Sequence, residues 1–331
     1  MSAHTDKLQN HTFGNYHITH KLGEGGMGAV YLARDRVLER HVAIKIIAPE
    51  LARDPKLMAR FRVEAIAQAR LNHTNIITIH SFEQNNEMYF IVMEYVEGKT
   101  LRALIEENGK FPVPQALTIV SQILDGLAVA HGKGVLHRDI KPANLFITAD
   151  HSVKIGDFGI AKVEGIDGLT RIGSQLGTPL YSSPEQILGQ AMGPATDIYS
   201  LGATLYEMIT GVPPFESSGY ELQRGHLERM PRRPSLLTGG ISAELDALMM
   251  KSLAKSPEAR FSSAEAFKKA IDQVLDGRTK RVSFSRPPWA SFSWDMWIKK
   301  LTGNELDSRQ KLLWVLVPLL IFILIIILFS E

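Results

Sequence analysis

The run HRDIKPAN, residues 137–144, followed by DFG at 157–159, decides how this chain is read. It sets a carboxylate, Asp139, two residues from a cation, Lys141, with the amide of Asn144 just beyond and a second carboxylate, Asp157, thirteen residues past Asn144. Such a set suits phosphoryl transfer to a hydroxyl. That chemistry leaves the protein little covalent work: one group orients the hydroxyl and accepts its proton, and hard oxygens hold a divalent cation on the phosphates. Asp139 fits the first task, and Asn144 and Asp157 fit the second.

At 331 residues, 45% hydrophobic and 22% charged, the chain has material for one large core or two modest ones. The formal net charge of +2 argues against a strongly basic nucleic-acid-binding body, and no nucleic-acid partner is expected. With no cysteine there is no disulfide framework, zinc knuckle or thiol nucleophile. The first thirteen residues, MSAHTDKLQNHTF, have no apolar core and are not expected to act as a secretory signal; residues 1–15 read as a flexible lead.

From Tyr16 the pattern is strand, glycine turn, strand. Gly23, Gly25 and Gly28 fit G-x-G-x-x-G-x-V with Val30 at its end, a loop whose missing side chains let backbone N–H groups approach phosphate oxygens. A dinucleotide fingerprint would open a helix here, but β-prone VYLA follows, so the loop joins two strands. Lys45 ends VAIK inside an apolar run, where an unpaired cation is costly. Helical apolar spacing over about 55–71 carries Glu64, and two more strands are expected near NIITIHSF and MYFIVMEYV. Helix then dominates, with TLRALIEEN, a long segment from about 114 to 132, and further helices near 197–211, 242–254 and 263–275. Between Asp157 and Glu185 the run EGIDGLTRIGSQLGTPLYSSPE has the composition of a loop.

Glycine loop, VAIK, helix Glu, HRDxKxxN, DFG and SPE occur in that order. Ninety-four residues separate Lys45 from Asp139 and eighteen separate Asp139 from Asp157. Together they resemble the eukaryotic-type protein kinases over residues 16–276, and GEGGMGAVY and HRDIKPAN most resemble the bacterial branch. The resemblance implies an α+β, bilobal fold: a small β-rich N-lobe, about 16–94, and a larger, mainly helical C-lobe, about 98–276, with the hinge near Glu94–Gly98. It implies ATP with Mg²⁺, or Mn²⁺, as cofactor. Lys45, bridged to Glu64, would aim at the α- and β-phosphates. Leu22, Val30 and Ala43 above the adenine and Phe146 below would sandwich it, with Met93 at the back and the backbone of Glu94 and Val96 along its edge. Asp139 would be the base, Lys141 would contact the γ-phosphate, and Asn144 and Asp157 would be the metal ligands. Asp197 would anchor the catalytic loop from beneath, and Glu185 would pair with Arg260. Gln68 departs from the family, which usually stacks an apolar side chain there behind Phe158.

Lys141 two residues after the base is the serine/threonine pattern, so protein Ser/Thr hydroxyls are the implied acceptors. Arg138 is the residue that in such kinases meets a phosphate on the activation segment, for which Thr170 is the first candidate and Ser174 and Thr178 follow. Phosphorylation between copies, and with it a homodimer, is expected.

Residues 277–311 are basic and hold three of the four tryptophans. Then LLWVLVPLLIFILIIILF, 312–329, gives an uncharged run spanning about 27 Å as a helix at 1.5 Å per residue, close to a hydrocarbon core of about 30 Å. A single-pass C-terminal anchor in the cytoplasmic membrane is expected, with the kinase on the cytoplasmic side, where the basic excess lies. Residues 285–301 read equally as a segment lying on anionic lipid or as a plain linker. The alternative function is a pseudokinase serving as a membrane-tethered ATP-binding scaffold, which would bind nucleotide without transfer.

Overall fold

The structure, a computed structural model, describes residues 8–86, 88–158 and 179–277. Strands β1 (Thr12–Phe13), β2 (Tyr16–Gly25), β3 (Gly28–Asp35) and β4 (Arg40–Ile47) lead through a short α1 (Pro49–Ala52) into α2 (Pro55–Ala69). Next come β5 (Ile79–Asn85) and β6 (Met88–Glu94). The six strands form one antiparallel sheet in the order β1-β2-β3-β4-β6-β5. Asp54 caps α2 by accepting from the amides of Lys56 and Leu57, which together with Pro55 at the first helical position sets the start of the helix. Leu57, Met58, Phe61 and Ala65, at helical spacing, bury one face of α2 against Ile47, Ile79 and Ile91 of the sheet.

After the hinge, β7 (Gly98–Thr100) leads into α3 (Leu101–Asn108) and α4 (Val113–Gly132). The strands β8 (Leu145–Thr148) and β9 (Val153–Ile155) complete a small sheet in the order β7-β8-β9. Beyond Thr178 lie α5 (Pro184–Ile187), α6 (Pro194–Thr210), α7 (Gly219–Glu228), α8 (Ala243–Ser252) and α9 (Ala264–Leu275). Helix α6 is buried continuously from Thr196 to Ile209, so it is the axis on which the C-lobe is packed. Among the described residues α4 alone is long and apolar enough to cross a membrane, yet its Leu117, Val120, Ile123, Leu124 and Leu127 lie in the C-lobe core.

Three expectations change. The lead over 1–15 is not loose throughout: Thr12 and Phe13 pair with His17 and Tyr16 of β2, and Phe13 is buried in the N-lobe core beside Phe90. The strand foreseen over NIITIHSF begins only at Ile79, because the preceding residues pair with the other lobe. Ile76 forms a parallel bridge with Ile155, the Ile77 amide donates to the Ile155 carbonyl (2.9 Å), and the Ile155 amide donates to the Asn75 carbonyl (2.8 Å). The Asn75 side chain adds a bond to the Val153 carbonyl at 2.8 Å. Helix α7 was not foreseen, since GYELQRGHLE has two glycines and few apolar residues. The candidates Thr170, Ser174 and Thr178, the basic segment and the 312–329 span lie outside the described residues.

Candidate active site

The glycine loop is the tip of the β2–β3 hairpin, as the strand on each side required. Its glycines do different work. A Cβ on Gly23 or Gly25 would meet nothing within 4 Å, which leaves backbone room for a polyphosphate, whereas Gly28 has φ +132° and a Cβ there would stand 1.9 Å from the Ile46 carbonyl oxygen. Gly28 is therefore fixed by the close approach of β4, independently of any ligand.

Lys45 lies on β4 opposite Val30, and Ala43 lies opposite Leu32, so the cation and the apolar roof come from neighbouring strands. Its ammonium is paired, as burial of a cation demands, but not with the expected partner. Lys45 Nζ donates to Asp157 Oδ1 at 2.6 Å, and Glu64 Oε1 instead lies 3.6 Å from Arg138 Nη1. The expected Lys45–Glu64 bridge is thus replaced by an exchange of partners. Glu64 and Asp157 are chemically alike, so geometry and not residue type decides which of them Lys45 meets. Among the described residues Glu64 Oε2, Gln68 Oε1 and Arg138 Nε are buried without a hydrogen-bond partner. Burial pushes the Glu64 carboxyl above its usual range, against the pull of Arg138 and Arg60. At Asp157, whose side chain is only half-buried, the upward push of partial burial is outweighed by the contact with Lys45, which holds the carboxyl below its usual range.

The catalytic loop is built by side chains on its own backbone. Asp197, at the start of α6, accepts from the amides of Arg138 (2.7 Å) and His137 (2.9 Å) and from His131 Nε2 (2.8 Å). Arg138 sits at φ +64°, a left-handed conformation that a non-glycine residue holds only against a cost. His137 is fully buried; its Nε2 donates to the Gly156 carbonyl (2.9 Å) and its Nδ1 accepts from the Asp139 amide (3.1 Å). Asp139 projects from this frame. Asn144 Nδ2 donates to its carbonyl at 2.8 Å and to its Oδ2 at 3.0 Å, and Lys141 Nζ reaches Oδ2 at 2.8 Å. The carboxylate, amide and cation of HRDIKPAN are therefore in mutual contact. With its nitrogen committed to Asp139, Asn144 has its amide oxygen free to serve a metal as a hard donor, and the half-exposed Asp157 carboxylate could serve as another. Two protein oxygens leave the rest of an octahedron to phosphate and water, which suits Mg²⁺.

Behind this cleft a small cavity is lined by Lys45, Gln68, Ile79, Ile91, Met93 and Asp157. Phe146 packs beneath Gly156, where a Cβ would come within 3.0 Å of its ring. Leu22 is exposed, and Val96, within the hinge, is half-buried. The Glu94 amide is already committed to the Thr78 carbonyl (2.9 Å), and its side chain pairs with Lys154 at 2.5 Å. Glu185 and Arg260 form the expected bidentate pair, 2.8 Å on each arm, at the base of the C-lobe.

With this geometry the family follows. The model of the protein kinase domain matches residues 16–271. This chain belongs to the protein kinase family. It is 40% identical over 274 residues to the serine/threonine-protein kinase PknB of Mycobacterium leprae, covering 81% of this chain and 44% of that one. It is 38% identical over 264 residues to the serine/threonine-protein kinase PrkC of Bacillus subtilis, covering 80% and 41%. The crystal structure of the Mycobacterium tuberculosis PknI kinase domain superposes with a TM-score of 0.66 at 29% identity, covering 80% of this chain and 98% of that domain. The chain thus spans less than half the length of the curated kinases it matches. Reasoning from sequence missed His131, which helps hold Asp197, and Gln186, whose Nε2 donates to the Arg138 carbonyl at 2.7 Å. An HG at the end of α4 is too weak a signal to find the first, and nothing in the SPE motif announces the reach of the next residue, Gln186, to the Arg138 carbonyl.

Proposed function

We propose that this chain is a serine/threonine protein kinase that moves the γ-phosphoryl group of Mg–ATP to protein Ser and Thr hydroxyls. The observation that carries the reading is the Asp139 carboxylate held by Asn144 and Lys141, facing a second carboxylate, Asp157, next to Lys45. Asp139 orients the acceptor hydroxyl and takes its proton, and Lys141 neutralises charge on the transferring group. Asn144 and Asp157 would hold the Mg²⁺, which when bound supplies charge neutralisation on the phosphates. Lys45 must leave Asp157 for the α- and β-phosphates. Incubating the full chain with labelled ATP and Mg²⁺ tests this: label in myelin basic protein or in the chain itself, absent from Asp139→Asn, is the expected result. Nucleotide binding without any transfer would instead establish the scaffold reading.

The regulation we propose uses the same charges. A phosphate on Thr170 or Ser174 would draw Arg138 from Glu64 and release that carboxylate to Lys45, an exchange favoured by three acceptor oxygens and about −1.5 to −2 charges. Transfer between copies held at the cytoplasmic membrane by 312–329 would make the mark self-amplifying. Full activity of the Thr170→Ala, Ser174→Ala double mutant would remove this mechanism. Removal of 312–331 should release the chain from membranes with its activity intact.

A further inference from the structure

We propose that Gln68 is a positioning residue for the nucleotide, its amide oxygen accepting from the Lys45 ammonium when that cation turns from Asp157 to the phosphates; the proposal rests on the reading of this cleft as a Mg–ATP site. Gln68 stands where an apolar side chain is usual in the family, so a polar amide there needs a reason of its own. Burial sharpens the question. An interior amide that meets no partner is costly, and Gln68 is 4% exposed with its Oε1 unpaired among the described residues.

The fold puts a donor close by. Gln68 lies one helical turn beyond Glu64 on α2, so the two side chains project from one face of that helix. That face carries two buried acceptors, Glu64 Oε2 and Gln68 Oε1, which lack donors among the described residues. On β4, Lys45 carries three donors, of which Asp157 takes one at 2.6 Å. Gln68, Lys45 and Asp157 line one cavity of about 10 Å³, and Ile79, Ile91 and Met93 supply its apolar walls. A space of that size holds about one water, so a change of side-chain rotamer is enough to bring one lining group to another. Beside an ammonium an amide presents its oxygen and not its NH₂ group.

Charge explains why the residue is an amide. The two carboxylates near Lys45 have other calls on them: Asp157 is a proposed metal ligand, and Glu64 faces Arg138 at 3.6 Å. A third carboxylate would repel both, and an apolar side chain would leave the ammonium without an acceptor while it passes between partners. A neutral amide accepts from the ammonium without neutralising it, so the charge aimed at the phosphates is kept. The contribution of Gln68 should therefore be felt through the phosphates and not through the purine.

Calorimetry on the full chain with two probes, Mg–ATP and adenosine, tests the proposal. Gln68→Met keeps the size and flexibility of the side chain and removes the acceptor. It should weaken Mg–ATP binding about tenfold and leave adenosine, which has no phosphate for Lys45 to meet, within about twofold. The Tm of the nucleotide-free protein should rise by about 2–4 °C, because a buried acceptor without a donor has been removed. If Gln68→Met fails to fold, Gln68→Leu, of the apolar kind usual at this place, takes the same measurements. Unchanged or tighter Mg–ATP binding, an equal loss with adenosine, or a lowered Tm in the folded variant would show an amide that only fills the core, and would overturn the proposal while leaving the transfer reading standing. Binding of Mg–ATP without transfer by the unaltered chain overturns the transfer reading alone, and absence of any Mg–ATP binding overturns both.

Discussion

Replacing Asp197 by Asn changes one atom of a residue that touches neither nucleotide nor acceptor, and it should nearly silence the enzyme. The carboxylate, 1% exposed, accepts three hydrogen bonds: Oδ1 from the Arg138 amide, Oδ2 from the His137 amide and His131. An asparagine has one oxygen. Turned to its best orientation it keeps the two bonds made by Oδ2 and presents an NH₂ group to the Arg138 amide. Losing a bond to a charged acceptor and stranding a buried donor together cost about 3 kcal/mol. That matches or exceeds the cost of about 1–3 kcal/mol of holding Arg138 at φ +64°, so the left-handed turn should relax and carry the adjoining Asp139 with it. A displacement of about 1 Å at a catalytic group costs roughly a hundredfold in rate. We therefore expect kcat to fall about a hundredfold, nucleotide affinity by calorimetry to change less than about threefold, and Tm to drop by about 6–12 °C. A folded Asp197→Asn protein with kcat within about threefold of the parent would show that the turn at Arg138 does not depend on this carboxylate.

Asp139→Asn should abolish transfer with nucleotide affinity nearly intact, whereas Lys45→Met should lose nucleotide positioning; calorimetry with Mg–ATP alongside an activity assay separates them. Arg260→Met should cost about 3–5 kcal/mol, because it strands the Glu185 carboxylate (3% exposed residue) and deprives the carbonyls of Ala195, Ala254 and Lys255 of their donor; adding Glu185→Gln should return part of it in a denaturant titration. Burial and nearby Lys255 pull the fully buried His226 from 6.5 down to about 4. In that window the unfolded chain takes a proton that the folded chain refuses, so stability should fall as pH drops from 6.5 to 4, by about 3 kcal/mol from this group. His226→Phe should flatten the fall, and an unchanged slope would place the loss elsewhere.

The catalytic loop was legible because its parts lie within eight residues, and contacts at that range, such as Asn144 to Asp139, follow from the local turn. Bidentate Glu185–Arg260 and the seat of Asp197 were reached only through resemblance, since nothing local announces a partner 59 or 75 residues away. The partner of Lys45 was misjudged for a physical reason: Glu64 and Asp157 are chemically alike, and which one is nearer depends on where α2 packs, a tertiary variable with no trace in spacing. The mutual hydrogen bonds of Arg102, Tyr181 and Glu207 escaped notice altogether. Each reads alone as an ordinary helix or loop residue, and only the fold brings them together.

The pairing of Asn75–Ile77 with β9 bears on how the molecule comes apart. A stretch from the N-lobe supplies the outer edge of the C-lobe's small sheet, so the backbone groups of Ile77, Ile155 and Asn75 are satisfied only while both lobes are folded. The lobes are then one cooperative unit despite having separate cores. Calorimetric melting of residues 8–277 should give a single transition, with the Ile77 and Ile155 amides exchanging at the rate set by global unfolding. A fragment ending at Thr100 would expose that strand edge and should associate with itself sooner than behave as half a kinase.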